Sequence, residues 1–540
     1  MNQPKQSPVN GASFPGTLPP RTGSADRWIS GAALALIFLA LAIRVPLLVN
    51  WRLVDDEVEH LHAAWAVAQG QVPYRDFFQN HTPLLYYLMA PVFALMGEDL
   101  RIIYVGRAVM LLCILLILLQ LYRIARGCFD ALTGLLAVLL LSYLLLWWPS
   151  AYIFRPDIFQ TLVVLVGLWR FMRAWERPSR RELVVSGALL GGGFWVLTKS
   201  LFPLVSLTLV FVLSISFRRS GAAVKENLIG LLLFLGAFAV PVALGGLLLW
   251  LADALPEFLQ WGVIHAFRYP VRFSAFRQLR PQVHFVAFAL ALIGIVRAIT
   301  RMVKARTVDE FRLSPLLAGS VTAAVYLFIM PAPNSQSALP FLPLAALYGA
   351  EVLRSVLAKA LPPDASAPAG PSKSPHRVVH SPSRLARAGL VVLLLSGICA
   401  PPLYAVVSRR LPYSDYWWDR RQALRYVLAL ASPGDSVFDA SGLPIFRPHA
   451  SYYYRLGRGV IASLESGMIP ETAIINDLWS SHCKVVIFSR GPLLLPQNLV
   501  RFLQSNYTLT DFAARDIRVL VAGKVLHPAD LRGEDRKSVV

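Results

Sequence analysis

Long apolar segments alternate with short polar ones along most of the chain. A helix needs about 20 apolar residues to span a bilayer, and several segments approach that length. They lie at 28–49, 101–122, 130–148, 157–172, 183–198, 201–217, 227–251, 283–300, 313–330, 338–357 and 387–408. The pattern predicts a polytopic α-helical membrane protein with about eleven transmembrane helices.

Basic residues collect on one side of this predicted membrane. With a cytoplasmic N-terminus, the segments that face the cytoplasm are rich in Arg or Lys, as the positive-inside rule requires. These segments are 122–126, 170–181, 217–225, 297–312 and 358–388. The same orientation places a first outer loop at 50–100, and everything after residue 408, outside the cytoplasm.

The remaining segments have a different composition. Residues 1–27 and 358–388 are rich in Pro, Ala, Gly and Ser, which predicts a disordered cytoplasmic tail and a disordered cytoplasmic linker around a membrane module at 28–357. The last transmembrane helix is predicted at 387–408. Residues 409–540 are predicted to form an extracytoplasmic α/β domain, because helical and strand patterns alternate there. Helices are predicted at 419–431, 472–481 and 497–505, and strands at 436–440, 484–489 and 517–522.

Composition supports a membrane protein over a nucleic-acid binder. The chain of 540 residues is 56% hydrophobic and 15% charged, and its net charge is +21. Soluble domains contain about 25% charged residues. The basic residues mostly separate apolar segments, so membrane topology explains the charge and no nucleic-acid partner is predicted.

Acidic side chains follow the first predicted helix directly. Asp55, Asp56 and Glu57 can orient a hydroxyl group, accept its proton or bind a divalent cation. A short amphipathic helix is predicted at 58–68, and an apolar segment at 83–97 is predicted to lie along the membrane surface. A simpler reading is that the acids solvate a helix end.

Further charged residues are predicted on the same outer side. Asp157 follows Arg155 at the start of a helix, and Lys199 interrupts an apolar region. The outer loop 252–282 carries several arginines, among them Arg268 and Arg272. Cations at this position suit a lipid phosphate. A local ion pair, a lysine that reaches the membrane surface and a solvated basic loop are the simpler alternatives.

The first loop does not by itself predict a zinc site. His60 and His62 are two residues apart, a spacing that does not place them on one helix face. The metal requirement therefore stays open, with a divalent cation among the alternatives.

Several motifs of the chain resemble those of bacterial GT-C fold glycosyltransferases, the group of the protein O-mannosyltransferases and the aminoarabinose transferases of lipid A. The matching motifs are Asp56-Glu57, Tyr74-Arg75-Asp76-Phe77, His81-Thr82-Pro83-Leu84-Leu85-Tyr86, Arg155-Pro156-Asp157, Thr198-Lys199 and the late segment ALPFLPLAALYG. Their order along the chain also agrees with that group.

The resemblance implies a reaction, substrates and a location. The protein would move a sugar from a polyprenyl-phosphate donor to a glycan, lipid or protein acceptor outside a bacterial plasma membrane, with inversion at the anomeric carbon. Asp56 would be the catalytic base, with Glu57 and Asp157 as further catalytic residues. Substrate-binding roles would fall to Asp55, Asp76, His81, Tyr86, Arg155, Lys199, Arg268 and Arg272.

Two other classes of function remain open at this level. A transporter or flippase of a lipid-linked substrate would use Asp56 and Asp157 as proton or ion carriers. A non-catalytic membrane assembly protein would use the outer domain for binding. Acids gathered in one outer loop favour the enzyme, as does the lack of a visible internal repeat, since many transporters contain paired halves.

Overall fold

The computed structural model describes most of the chain. The described residues are 24–217, 220–265, 274–280, 284–306, 309–331, 333–360, 384–410, 415–439, 443–488, 495–514 and 517–523. Arg268 and Arg272, most of the predicted tail and most of the predicted linker lie outside these ranges.

The described residues up to 410 form a bundle of helices. The longer helices are α1 (Ser24–Asn50), α2 (Asp55–Ala68), α3 (Leu84–Met96), α4 (Ile102–Cys128), α5 (Ala131–Trp147), α6 (Pro156–Glu176), α7 (Arg180–Phe194), α8 (Leu201–Phe217), α9 (Gly221–Leu251), α10 (Phe285–Ala305), α11 (Glu310–Ala324), α12 (Leu342–Ala360) and α13 (Arg384–Ala405). Short 3₁₀ or π segments precede α6, α8 and α12 and follow α9, α11 and α13. The predicted polytopic helical class is confirmed.

Nine helices within the described ranges are long and apolar enough to cross a membrane. They correspond to nine of the predicted segments. The other two predicted segments, 130–148 and 183–198, form α5 with 17 residues and α7 with 15 residues. At 1.5 Å per residue these helices are about 26 and 22 Å long, less than the roughly 30 Å of a hydrocarbon core. Their length therefore does not confirm a count of eleven crossings.

Local sequence explains where two of these helices begin. The side chain of Asp130 accepts a hydrogen bond from the backbone N–H of Thr133, which caps α5. Pro156 occupies the first position of α6, where its missing N–H costs nothing and its fixed φ suits the helix. This start fixes Asp157 in the first turn of α6, at the same end of the bundle as the start of α2.

Small residues let α7 and α9 approach closely. Gly187 and Gly191 lie one turn apart on α7, and a Cβ atom at either position would collide with the carbonyl oxygen of Phe234 or Phe238 on α9. Close backbone contact of this kind is typical of helices packed inside membranes. The pair therefore holds α7 against α9 and fixes the loop that follows α7.

The helix α2 differs from its prediction. It begins at Asp55 and not at 58, and twelve of its fourteen residues are buried. The helix predicted at 58–68 is thus present, but it is buried on nearly all sides, because the C-terminal domain covers its polar face. The apolar segment after it forms α3.

The described residues from 415 onwards form a small α/β domain, as predicted. Its helices are α14 (Asp415–Leu430), α15 (Arg458–Glu465), α16 (Glu471–Ser480) and α17 (Gln497–Asn506). Its strands are β1 (Val437–Asp439), β2 (Val485–Phe488), β3 (Tyr507–Ala514) and β4 (Ile517–Ala522). The sequence did not indicate α15 or β3. The sheet order is β1-β2-β4-β3, with β1 parallel to β2 and the other pairs antiparallel.

Both faces of this sheet are covered. Successive side chains of a strand point to opposite faces. Val485 and Ile487 accordingly pack into the core shared with the helical bundle, whereas Val486 packs into a second core with α16 and α17. The domain is therefore joined to the bundle through one sheet face and through its connecting segments.

The segment between β1 and α15 docks on the first loop of the bundle. Arg447 Nη1 lies 2.6 Å from Glu98 Oε1, and His62 Nδ1 donates to the carbonyl oxygen of Ile445 over 2.9 Å. The backbone N–H of Phe78 donates to the carbonyl oxygen of Tyr452 over 2.9 Å. The domain thus covers α2 and the turn that follows it.

Stacked histidines in this docked segment should make the stability of the folded chain depend on pH. The ring of His449 stacks on Tyr454 with a centroid distance of 4.0 Å and lies 3.6 Å from the ring of His62. Burial, followed by the charge of His62, holds the pKa of His449 well below its ordinary value of 6.5. The unfolded chain therefore binds a proton that the folded chain excludes, so stability is present above pH 6.5 and is lost as the pH falls.

We expect His449 to reduce the free energy of unfolding by about 2 kcal/mol at pH 5 relative to pH 7, because each pH unit below 6.5 costs about 1.4 kcal/mol. The variant His449→Phe keeps the ring contact and should lose this part of the pH dependence. Thermal unfolding of the detergent-solubilised chain at both pH values measures it, with the exposed His482→Asn as control. An unchanged pH dependence in His449→Phe would contradict this account.

Candidate active site

Three consecutive acids open α2 and point in three directions. Residues of an α-helix follow one another at 100°, so neighbours cannot share one partner. Arg107 holds Glu57 with two hydrogen bonds of 2.7 and 2.6 Å, and Arg420 Nη2 lies 2.5 Å from Asp55 Oδ1. The side chains of Glu57 and Asp55 are 0% and 8% exposed, whereas that of Asp56 is 34% exposed. Asp56 is therefore the most accessible carboxylate of the three.

Two arginines from distant parts of the chain flank Asp56. Arg155 pairs with one carboxylate oxygen and Arg455, from the C-terminal domain, pairs with the other. Burial raises the pKa of Asp56, but the charges of Arg155 and then Arg455 outweigh burial and hold its pKa well below the ordinary range. Asp56 is therefore ionised at neutral pH and is a weak base while both arginines remain in place.

The ion pairs continue from Asp56 across the end of the bundle. Arg155 Nε lies 3.2 Å from Asp157 Oδ2, and Lys199 Nζ lies 3.2 Å from Asp157 Oδ1. Lys199 also donates to the hydroxyl oxygen of Ser337 over 3.0 Å. Carboxylates and cations thus alternate in the order Arg455, Asp56, Arg155, Asp157 and Lys199, which we call the charge chain.

The charge chain, together with the Ser337 that Lys199 contacts, joins four parts of the bundle to Arg455 of the C-terminal domain. Asp56 lies on α2, Asp157 in the first turn of α6, Lys199 between α7 and α8, and Ser337 just before α12. Lys199 and Arg455 each have side chains that are 20% exposed. The chain therefore offers cations that an anionic ligand can reach, next to an accessible carboxylate.

A second group of side chains lies on the next turn of α2. His60 Nδ1 is 2.9 Å from the hydroxyl oxygen of Tyr86, and the rings of His60 and His81 meet edge to face with centroids 4.9 Å apart. Burial, then the charge of Arg155, lowers the pKa of His81 to about 4. Burial, then the charge of His81, lowers that of His60 well below its ordinary value. Both rings are neutral at pH 7.

The two histidines of α2, His60 and His62, have different partners. His60 contacts His81, which is 21 residues further along the chain, while His62 binds the C-terminal domain. Glu59 completes the group, with its Oε1 4.0 Å from His81 Nδ1. One ligand atom from each of Glu59, His60 and His81 lies within 4.8 Å of the others, an arrangement that could hold a metal ion.

The predicted site residues are thus placed as follows. Those in or beside the charge chain are Asp56, Arg155, Asp157, Lys199, His81 and Tyr86. Asp55 and Glu57 are neighbours that face other arginines. Asp76 instead pairs with Arg75 over 2.8 Å and lines a cavity of about 230 Å³ between the first loop and the C-terminal domain. Arg268 and Arg272 fall outside the described ranges.

Several residues of this region, His60 among them, were not predicted from the sequence as part of the site. Arg107 lies in the second turn of the apolar helix α4, which is itself a signal of a buried partner. Glu59 stands in the acidic loop. Arg420 and Arg455 carry no local signal, because their partners lie more than 360 residues earlier in the chain.

A helical membrane bundle, an α/β domain docked on its first loop and acids at the starts of α2 and α6 define the class. The chain has the GT-C fold, the fold of membrane glycosyltransferases that the motifs predicted. Residues 80–244 also match the family model described as dolichyl-phosphate-mannose-protein mannosyltransferase.

Solved structures support the same fold. ArnT from Cupriavidus metallidurans in the apo state is 14% identical with a TM-score of 0.58, and the match covers 91% of this chain and 98% of ArnT. ArnT bound to undecaprenyl phosphate gives 14% and 0.54, with coverage of 92% and 99%. The oligosaccharyltransferase AglB from Archaeoglobus fulgidus, in complex with an inhibitory peptide and a dolichol-phosphate, gives 13% and 0.53, with coverage of 91% and 74%. No curated protein sequence matches the chain significantly.

Proposed function

We propose that this protein is a membrane glycosyltransferase that moves a sugar from a polyprenyl-phosphate donor to an acceptor hydroxyl group. The observation that carries the proposal is the charge chain, in which one accessible carboxylate, Asp56, lies between arginines and next to Lys199. Both reacting groups need these charges, since the acceptor needs a proton acceptor and the leaving phosphate needs cations.

The relatives support the nature of the donor. ArnT has been solved with undecaprenyl phosphate and AglB with a dolichol-phosphate, and the matching family model is named for dolichyl-phosphate-mannose. By the same resemblance we propose a bacterial plasma membrane, a cytoplasmic N-terminus and an extracytoplasmic C-terminal domain. Sugar and acceptor belong to the classes of the wider group, in which acceptors are glycans, lipids or proteins.

The reaction follows from the positions of these charges. The acceptor oxygen attacks the anomeric carbon and forms the new glycosidic bond, while the bond from that carbon to the phosphate oxygen breaks. Asp56 takes the proton of the acceptor hydroxyl group. The polyprenyl phosphate leaves with an added negative charge, which Lys199, Arg155 and Arg455 can stabilise. A single displacement of this kind inverts the anomeric centre.

Binding of the donor raises the basicity of Asp56. In the resting protein both of its carboxylate oxygens face arginines. An incoming phosphate competes for those guanidinium groups, so Asp56 loses part of its counter-charge and its basicity rises. Donor binding would therefore activate the site. Before the donor binds, Asp56 is too weak a base to activate a bound water molecule.

The buried neighbours take positioning roles in this scheme. Arg107 forms a buried ion pair with Glu57 and also donates to the carbonyl oxygens of Leu48 and Trp51 at the end of α1. Asp55 binds Arg420 on α14. We therefore assign Glu57 and Asp55 to fixing the turn that presents Asp56, and Asp157 to holding Arg155 and Lys199 towards the phosphate.

A transfer assay tests the proposal directly. The purified full chain in lipid nanodiscs is incubated with radiolabelled polyprenyl-phosphate sugars and an extract of cell-envelope acceptors. The proposal requires label to move to an acceptor and free polyprenyl phosphate to accumulate. If label instead crosses the bilayer of proteoliposomes with the donor bond intact, the protein is a transporter and the enzyme proposal fails.

Lys199 provides a prediction about donor binding. We expect Lys199→Met to weaken binding of polyprenyl phosphate about 10- to 100-fold, because a charge-assisted hydrogen bond contributes about 1.5–3 kcal/mol. Lys199→Arg should retain much of the affinity, and the exposed Lys225→Met should retain all of it. Native mass spectrometry of nanodisc samples measures the bound lipid. Equal affinity in Lys199→Met would remove Lys199 from the phosphate site.

A further inference from the structure

The three ligand-type side chains beside the charge chain have the composition of a transition-metal site. Glu59, His60 and His81 supply one carboxylate oxygen and two imidazole nitrogens, all within 4.8 Å of one another. Zinc takes such ligands at about 2.1 Å, which places tetrahedral ligand atoms about 3.4 Å apart. The observed spacing of up to 4.8 Å is wider, so binding of one ion would draw these side chains together.

His60 is oriented as metal-binding histidines are. Its side chain is 0% exposed, and its Nε2 is a buried atom that has no hydrogen-bond partner among the described residues. Its other ring nitrogen, Nδ1, is fixed by the hydroxyl group of Tyr86 at 2.9 Å. A partner on one nitrogen normally orients the other nitrogen towards the metal. An unsatisfied buried nitrogen otherwise costs about 1–3 kcal/mol, which a ligand here would relieve.

Glu59 divides its two oxygens between this group and the charge chain. Its Oε1 faces His81, and its Oε2 pairs with Arg455. The side chain is 4% exposed, so little water shields it. A cation bound at Oε1 therefore shares Glu59 with Arg455, the same arginine that contacts Asp56.

We propose that Glu59, His60 and His81 form a binding site for one divalent transition-metal ion, for which Zn²⁺ is the best match. Two imidazoles and one carboxylate suit zinc, and three protein ligands leave a fourth position open. His62 is not a ligand, because it does not belong to the group of described ligand atoms that lie within 4.8 Å of one another. The proposal concerns metal binding and stands or falls independently of sugar transfer.

Metal content is the first test. The full chain is purified in detergent with an affinity tag that contains no histidine, stripped with a chelator, dialysed against limiting Zn²⁺ and measured by elemental mass spectrometry. We expect about one zinc per chain in the wild type and in His62→Gln, the matched control two residues after His60. His60→Gln and His81→Gln should each lower the affinity at least tenfold.

A spectroscopic test separates binding from folding. Co²⁺ in place of Zn²⁺ should give the intense visible absorption of a four-coordinate site in the wild type and in His62→Gln. Tyr86→Phe leaves all three ligands and removes only the hydrogen bond to His60, so we expect a 10- to 100-fold weaker metal affinity with an unchanged fold. Less than one-tenth of an equivalent of zinc in the wild type would overturn the proposal. Equal zinc affinity in the wild type and both ligand variants would overturn it as well.

Discussion

Asp56→Asn is expected to lower the rate of sugar transfer about 10²- to 10⁴-fold, the range that a positioned general base contributes. Asparagine keeps the size of the side chain but cannot accept the proton of the acceptor hydroxyl group. The change also removes the negative charge between Arg155 and Arg455. Those cations then face the donor phosphate with less competition, so donor affinity should not fall while kcat does.

This separation of kcat from donor affinity is what distinguishes a base from a donor-binding residue. Single-turnover transfer with saturating donor measures the first, and lipid binding in nanodiscs measures the second. Asp435→Asn is the matched control, because Asp435 pairs with Lys484 on the surface of the C-terminal domain. If Asp56→Asn turns over at the wild-type rate, the base lies elsewhere and our mechanism is wrong.

The second large effect concerns stability. We expect Glu57→Leu to lower the free energy of unfolding by about 3–5 kcal/mol, because it leaves the guanidinium group of Arg107 buried without its carboxylate. Both side chains are 0% exposed, so water cannot replace the lost partner. Arg107→Leu should cost a similar amount, since it strands the Glu57 carboxylate.

The double variant Glu57→Leu/Arg107→Leu tests whether the instability of the single variants comes from an unpaired buried charge. Removing both charges together avoids the unpaired ion, so the double variant should be more stable than either single variant. Recovery should be partial, because Arg107 also donates to the carbonyl oxygens of Leu48 and Trp51. Thermal unfolding in detergent measures all three variants. A double variant as unstable as the sum of the singles would show that the pair does not act as a unit.

Much of the architecture was predictable because its signals are local. Apolar segments of about 20 residues require helices in a bilayer, and nine of the predicted segments are long enough to cross. The α/β domain was also predictable from strand and helix patterns, although β3 was missed. Its sequence YTLTDFAA contains polar residues, and its pairing with β4 shifts register between Leu509 and Ala513.

The site was predictable only in part, because the sequence does not show towards which partners neighbouring side chains point. Asp55, Asp56 and Glu57 look alike in the sequence, and only the identity of their arginine partners tells them apart. The spacing of His60 and His62 argued against a shared site for these two residues, and nothing in the sequence indicated that the fold brings His81 onto His60. Arg455 depends on how a separate domain docks, which no pattern within a single segment describes.

The docking of Arg420 and Arg455 has a consequence for biosynthesis. A membrane protein is made from its N-terminus, so α1, α2 and the bundle enter the membrane before these two arginines are translated. During that interval Asp55 and Glu59 lack the arginines that they contact in the finished fold, and Asp56 has Arg155 but not Arg455. The nascent bundle also lacks Arg455, one of the cations assigned to the leaving phosphate. We therefore expect it to transfer sugar only after its last quarter has left the ribosome and folded back onto its first loop.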